Sequence, residues 1–195
     1  MSRQARLLED GGYYHIITRG NDRKRIFRSN PDFIYFIKLI KEALEKKILC
    51  IHHYCLMNNH LHFLISVIDS KRAPKFFQNI FQRYAYYFRK RYRHVGYLFQ
   101  NRYKSNPIEK ESYLLECSRY IERNPIRAGI VKDPADYRWS SYSYYAFGKK
   151  DDIITPNPAY IELSKDEEDR KRLYREYILH ERLYEHIVDK GLGIG

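Results

Sequence analysis

The chain has 195 residues, a formal net charge of +12 and 44% hydrophobic residues. This length favours one domain with an appendage over two full domains, and the apolar content excludes a disordered basic tail. The positive charge favours a polyanionic partner, because each neutralised phosphate releases condensed counterions. Nucleic acid is the favoured partner, and an anionic membrane surface is the second candidate. No uncharged apolar run approaches the length of a transmembrane helix.

The chain alternates strand and helix patterns up to residue 123. The predicted elements are a strand at 13–18, an amphipathic helix that Asn30 caps, strands at 48–57 and 61–68 joined by Asn58-Asn59, a helix beginning at Pro74, a strand at 97–108, and a helix at 109–123 that ends before Asn124-Pro125. The two asparagines tolerate the left-handed backbone that a tight hairpin requires. This order predicts an α+β fold, a ferredoxin-like βαββαβ sandwich with an antiparallel sheet and an extra helix.

The composition changes beyond residue 147. The stretch 149–158 is polar and contains prolines, and a helical pattern of mixed charge in i to i+4 register follows at about 164–189. We predict a main domain at 1–147 and a polar linker with a charged helical extension at 148–195. The three cysteines form no even set and no apolar leader precedes the first charges, so we expect free thiols and a cytoplasmic location.

A basic stretch without any acidic residue runs from Lys71 to Lys104 and contains ten Lys or Arg residues. Tyrosines at positions 84, 86, 87, 92 and 97 are interleaved with them. Basic side chains can follow a phosphate backbone while tyrosines stack on unpaired bases, which is typical of a groove for single-stranded nucleic acid. A solvated helix whose aromatics point into the core explains most of these tyrosines equally well.

Two histidines one residue apart stand out in the segment "MNNHLHFLI". Because side chains alternate along a strand, His60 and His62 share one face at a Cα separation of roughly 6.5 Å, close enough to bind one divalent cation. Two ordinary histidines remain the plain alternative. A zinc site made from the cysteines and histidines of residues 50–55 is disfavoured, because alternation divides these residues between two faces.

A tyrosine nucleophile is suggested by the last predicted helix. Tyr120 and Asn124 are spaced i, i+4, so a phenol and a neutral oxygen ligand share one helix surface. Tyr113 lies on the same stripe and is a rival. Asn124, which precedes Pro125, also has the alternative role of capping the following turn.

The segments "HHYCLMNNHLHFLI", "RYIERNPIRAGIV", "YHIITRGNDR" and "YRWSSY" resemble the HUH single-tyrosine transposases of the IS200-like superfamily, specifically the REP-associated tyrosine transposases. The resemblance spans residues 13–145 and does not reach the tail beyond residue 148. It implies His60 and His62 as ligands of Mg²⁺ or Mn²⁺, Asn124 as third ligand and Tyr120 as nucleophile. It also implies a 5′-phosphotyrosyl intermediate, strand transfer on single-stranded DNA with a hairpin, and a homodimer or a monomer.

Target recognition must come from basic residues, since the catalytic groups cannot supply it. The candidate DNA-binding residues are Arg19, Arg23, Arg25, Arg83, Arg102 and Lys104. We expect His15 and His53 to be packing or supporting residues, and Glu122 and Arg127 to be local ion partners. The alternative function is a non-catalytic nucleic-acid binder with a ferredoxin-like fold. Such modules expose aromatics on their central strands, where this sequence places the two histidines.

Overall fold

The computed structural model of the protein describes residues 8–109 and 112–180. A four-stranded sheet lies at its centre in the order β2-β3-β1-β4, and all neighbouring strands are antiparallel. The elements are β1 (Tyr13–Arg19), α1 (Asn30–Leu44), β2 (Leu49–Leu56), β3 (His60–Val67), α2 (Ala73–Tyr92), β4 (Lys104–Pro107), α3 (Ser112–Arg127), α4 (Tyr142–Phe147), α5 (Pro158–Ile161) and α6 (Glu167–Leu179). The predicted ferredoxin-like arrangement is confirmed.

The two faces of the sheet are covered by different helices. On one face, Leu61 and Phe63 of β3 are buried in the apolar core that α1 and α2 share. The ring centroid of Phe63 lies 6.2 Å from that of Phe77 on α2. On the other face lies α3, whose Tyr120 ring contacts that of His62. Alternation along β3 therefore directs apolar residues to the core and histidines to α3.

Helix α1 begins one residue earlier than predicted, with Ser29 rather than Asn30 as its N-cap. The reason is Asp32, whose buried carboxylate accepts a hydrogen bond of 2.9 Å from the backbone N–H of Ser29. The same carboxylate accepts hydrogen bonds from the hydroxyls of Tyr87 and Tyr92 on α2. These two tyrosines of the basic stretch therefore have structural roles. For them, the alternative of aromatics that pack within the protein is the correct one.

The hairpin between β2 and β3 turns at Asn58-Asn59 as predicted, but neither residue adopts a positive φ. The turn is held instead by the loop after β1. The backbone N–H of Gly20 donates to the Asn59 carbonyl at 2.8 Å, and that of Ile26 donates to the Asn58 carbonyl at 2.7 Å. This loop therefore fixes the start of β3. Strand β4 is shorter than predicted, with only residues 104–107 in the sheet.

Residues after position 147 pack against the rest of the structure. The backbone N–H of Thr155 donates to the Ile51 carbonyl at 2.8 Å, beside an isolated bridge at the edge of β2. Helix α6 joins a second apolar cluster with α4 and α5 that includes Tyr145 and Tyr174. The i to i+4 pairs of Lys171 with Glu167 and of Arg172 with Glu176 confirm the predicted charge register. The division of the chain at 147/148 stays a prediction.

The predicted helix at 164–189 is observed over α6, and positions 181–189 lie outside the described residues. Within the described ranges, no helix is long and apolar enough to cross a membrane. Cys50, Cys55 and Cys117 are free thiols, as expected.

Candidate active site

A cleft of about 470 Å³ opens where the end of β1, the start of β3, the segment before β4 and helix α3 meet. Ile17, Thr18, Arg19, His60, His62, Gln100, Asn101, Arg102, Lys104, Tyr120 and Asn124 line it. All four predicted catalytic and metal-binding residues are in this lining, although they come from two separate segments of the chain. Sequence spacing predicted that His60 lies beside His62 and that Tyr120 lies beside Asn124. The fold brings these two pairs together in one cleft.

His60 and His62 project from β3 toward α3, as alternation predicts. Their ring centroids lie 4.9 Å apart and the ring planes are nearly perpendicular. His62 is 2% exposed, whereas His60 lies at the cleft surface. Behind them, the Nε2 atom of His15 on β1 lies 3.0 Å from the Nδ1 atom of His62.

Burial keeps these imidazoles neutral. Desolvation lowers the pKa of His15 to about 3 and lowers the pKa of His62 well below its ordinary value. The pKa of His60 is lowered by burial as well, and the hydrogen bond that the protonated ring can donate to the Asn124 side chain partly offsets this effect. Neutral imidazole is the form that binds a metal ion.

Tyr120 on α3 faces the histidines. Its ring centroid lies 5.5 Å from that of His62 and 5.6 Å from that of His15. The guanidinium carbon of Arg127 lies 5.0 Å from the centroid of the same ring. Tyr113, the rival nucleophile, is 45% exposed and does not line the cleft. Arg127 was expected to be only an ion partner, and the structure places its positive charge beside the candidate nucleophile.

Helix α3 does not end before Pro125 as predicted but continues to Arg127. Proline lacks the N–H that would bond to the carbonyl of Ile121. The side-chain amide of Asn124 compensates, because its Nδ2 atom donates to the Tyr120 carbonyl at 2.8 Å and approaches that of Ile121 at 3.4 Å. With Nδ2 turned to the backbone, the amide oxygen is the atom left to meet His60.

The donor set fits a divalent cation. The buried Nε2 atom of His62 has no hydrogen-bond partner. The Nδ1 atom of His60 lies 2.6 Å from the Asn59 side-chain oxygen, so a neutral ring that donates there keeps a lone pair on its other nitrogen. The described residues contain no cluster of three or more His, Cys, Asp or Glu side chains suited to a metal. The amide oxygen of Asn124, in the same cleft, is a donor that suits Mg²⁺ or Mn²⁺ beside the two imidazoles.

The candidate DNA-binding residues divide into three groups. Arg19, Arg102 and Lys104 line the cleft. The next two, Arg23 and Arg25, are exposed in the loop that holds the turn before β3. The last, Arg83, lies on α2 beyond the opposite face of the sheet, where its Nη2 atom lies 2.7 Å from a carboxylate oxygen of Glu42.

Sequence reasoning missed two polar residues of the cleft, Gln100 and Asn101. Both are uncharged, whereas the DNA contacts predicted from the sequence were all Lys or Arg. Their position directly before Arg102 in the predicted strand was the signal available. Amide side chains at this place can form hydrogen bonds to bases or to phosphate oxygens.

A buried network behind α3 fixes the helix. The carboxylate of Glu122, which is fully buried, accepts hydrogen bonds from His53 Nδ1 at 2.9 Å, from Ser141 Oγ at 2.6 Å and from the Tyr174 hydroxyl at 2.7 Å. These donors come from β2, α6 and the segment before α4. Glu122 therefore ties α3 to three separate parts of the fold, a larger role than the local ion pair expected.

A β-bulge between Ile51 and His53 interrupts the alternation used to assess a zinc site. Cys50, His53 and Cys55 consequently all pair with residues of the His62 face of β3. His53 nevertheless uses both ring nitrogens within the protein, since Nδ1 meets Glu122 and Nε2 lies 3.1 Å from Asn157 Nδ2. The premise that strict alternation divides the cysteines and histidines of residues 50–55 between two faces was therefore wrong.

Comparison with known proteins defines the class. A family model described as "Transposase IS200 like" matches residues 10–124, and the chain therefore belongs to the IS200-like transposase family. Membership implies an enzyme that cleaves DNA. The matched range contains both histidines of the pair and ends at Asn124.

Among solved structures, the chain is similar to a REP-associated tyrosine transposase bound to a REP hairpin. The two share 17% sequence identity with a TM-score of 0.64, over 80% of this chain and 92% of the other. This likeness shows a common fold. A comparison with curated proteins gives no match.

Proposed function

We propose that this transposase nicks and rejoins single-stranded DNA through Tyr120, with a divalent cation held by His60, His62 and Asn124. The observation that carries the proposal is the convergence of these four residues on one cleft, together with Arg19, Arg102 and Lys104. Two neutral imidazoles, an amide oxygen and a phenol beside a basic surface suit phosphoryl transfer, which depends on positioning and charge stabilisation.

The chain's own residues account for each part of the reaction. Tyr120 attacks a backbone phosphorus, and a bond forms between its oxygen and the 5′-phosphate as the bond from phosphorus to the 3′ oxygen breaks. The phenol loses its proton to solvent, and the departing 3′ oxygen takes one up to become a hydroxyl. Arg127, whose guanidinium lies over the Tyr120 ring, stabilises the negative charge that develops on the phenol oxygen. Mg²⁺ or Mn²⁺ in this site would polarise the phosphate.

Rejoining requires no external energy source. The phosphotyrosyl link preserves the energy of the phosphodiester, so another 3′-hydroxyl can attack the phosphorus and release Tyr120. The solved relative is bound to a REP hairpin. We propose a hairpin-bearing single strand as the substrate of this chain as well, with the basic residues of the cleft contacting its backbone.

The proposal is tested with labelled single-stranded hairpin DNA and Mn²⁺. A covalent adduct that survives denaturant is expected, and Tyr120→Phe and EDTA should each abolish it. The matched control is Tyr113→Phe, on the same helix but outside the cleft, which should form the adduct normally. An adduct with Tyr120→Phe would reassign the nucleophile. Metal-independent binding without any adduct would favour the non-catalytic binder instead.

A further inference from the structure

His15 on β1 lies directly behind the candidate metal ligand His62. The ring centroids lie 5.2 Å apart with an angle of 23° between the ring planes, and a single hydrogen bond of 3.0 Å joins His15 Nε2 to His62 Nδ1. Their strands are hydrogen-bonded neighbours, and Ile17, two residues after His15 and on the same face, is the direct partner of His62. His15 is 0% exposed and is not among the residues that line the cleft.

Only one proton lies between the two facing nitrogens. In one arrangement, His62 Nδ1–H donates to His15 Nε2, and His62 Nε2 keeps a lone pair. In the other, His15 Nε2–H donates to His62 Nδ1, and His62 Nε2 carries the proton. The two arrangements leave equal numbers of unsatisfied atoms, because His15 Nδ1 and His62 Nε2 are both buried without a hydrogen-bond partner. The intramolecular contacts alone therefore do not choose between them.

Metal binding selects the first of these two arrangements. A nitrogen that carries a proton cannot be a ligand, so a cation on His62 Nε2 requires the proton to be on Nδ1. The Nδ1–H group then needs an acceptor, and His15 Nε2 is the acceptor that the fold provides. In protein metal sites this place is usually taken by a carboxylate, a backbone carbonyl or water.

We propose that His15 is a positioning residue that holds His62 in the tautomer and ring orientation required for metal binding. This inference rests on the proposed metal-dependent function. It predicts that the hydrogen-bond acceptor at position 15 matters and that the imidazole itself does not. Gln is the informative replacement, because its side-chain oxygen can reach the place of Nε2, whereas Leu fills similar space without an acceptor.

The test is the affinity for Mn²⁺, measured by calorimetry on the full chain without DNA. We expect His15→Leu to weaken binding about 10- to 100-fold and His15→Gln to restore it to within about threefold of wild type. His52→Leu is the matched control. That histidine is also buried, but it bonds to Thr155 and Ser66 away from the cleft, so its loss should leave the affinity unchanged.

A second measurement remains valid if His15→Leu fails to fold. Nitrogen NMR of the wild-type imidazoles, with the diamagnetic Mg²⁺ bound, should show His62 protonated at Nδ1. Protonation at Nε2, or unchanged Mn²⁺ affinity in folded His15→Leu, would overturn the role of His15 alone. If wild type binds no Mn²⁺, or if binding survives His60→Ala with His62→Ala, the metal site of the proposed function fails and the role of His15 fails with it.

Discussion

Two histidine pairs lie on neighbouring strands, His52 and His53 on β2 and His60 and His62 on β3. The first pair has both ring nitrogens of each residue matched within the protein: His52 with Thr155 and Ser66, and His53 with Glu122 and Asn157. The second pair leaves His62 Nε2 unmatched beside the cleft. His52, His53 and His62 are all buried, so burial does not separate His62 from the first pair. The unmatched ring nitrogen is what distinguishes a candidate metal ligand from a structural histidine.

The largest expected effect is on the rate of adduct formation, which alanine substitution of His62 and of His53 should change differently. His62→Ala removes a proposed metal ligand and should lower the rate of adduct formation about a thousandfold, or about 4 kcal/mol of transition-state stabilisation. His53→Ala deprives the buried Glu122 carboxylate of a partner and should cost about 2–4 kcal/mol of folding free energy. Its Mn²⁺ affinity should stay at the wild-type value.

Adduct kinetics, Mn²⁺ calorimetry and urea unfolding on both variants make this comparison. Experiments with His53→Ala need to be run where that variant remains folded, as judged by circular dichroism. Equal loss of Mn²⁺ affinity in the two variants would show that the distinction between the pairs is wrong.

A second effect concerns His52 and pH. Burial lowers the pKa of this imidazole from 6.5 to about 4. As the pH falls below 6.5, His52 becomes protonated in the unfolded chain, whereas in the folded protein it stays neutral until about pH 4. The free energy of unfolding therefore decreases as the pH falls through this range. His52→Gln removes this group. Between about pH 7.5 and pH 4.5, wild type should lose about 2 kcal/mol more than the variant.

Urea unfolding midpoints of wild type and His52→Gln across this range measure the difference. Parallel pH profiles would mean that His52 is not buried as a neutral group. Because His52 lies away from the cleft, the result does not depend on whether the protein binds a metal.

Local patterns were sufficient for most of the fold and part of the site. Alternation along β3 placed His60 and His62 on one face, and i, i+4 spacing placed Tyr120 beside Asn124, because both periodicities follow from backbone geometry. The continuation of α3 past Pro125 could not be predicted in this way. It depends on one side-chain amide that satisfies a carbonyl which proline leaves open.

Contacts between distant segments account for the rest. The bulge at His52 changes the face of the residues that precede it, and no local pattern marks it. The contact between His15 and His62 spans 47 positions and depends on the pairing register of β1 with β3. Arg83 was grouped with the cleft residues by charge alone, although the helix that carries it lies on the opposite face of the sheet.

The smallest effect extends the comparison from histidines to arginines. Arg102 lines the cleft, whereas Arg83 pairs with Glu42 on the helical layer beyond it. A phosphate contact contributes to affinity through counterion release, so its loss reduces the dependence of binding on salt. Arg102→Ala should weaken binding of hairpin DNA about five- to tenfold at low salt and reduce the slope of log affinity against log salt by about 1.

Arg83→Ala is the matched control, since it removes the same charge from the same chain. Its ion pair is partly exposed, with both side chains more than a third accessible, so the loss should change stability and DNA affinity little. Fluorescence anisotropy between about 50 and 200 mM salt, with both substitutions in a Tyr120→Phe background to prevent cleavage, measures the two slopes. If Arg83→Ala reduces the slope as much as Arg102→Ala does, the DNA must also run over the basic surface of α2. The path through the cleft would then be only part of the interface.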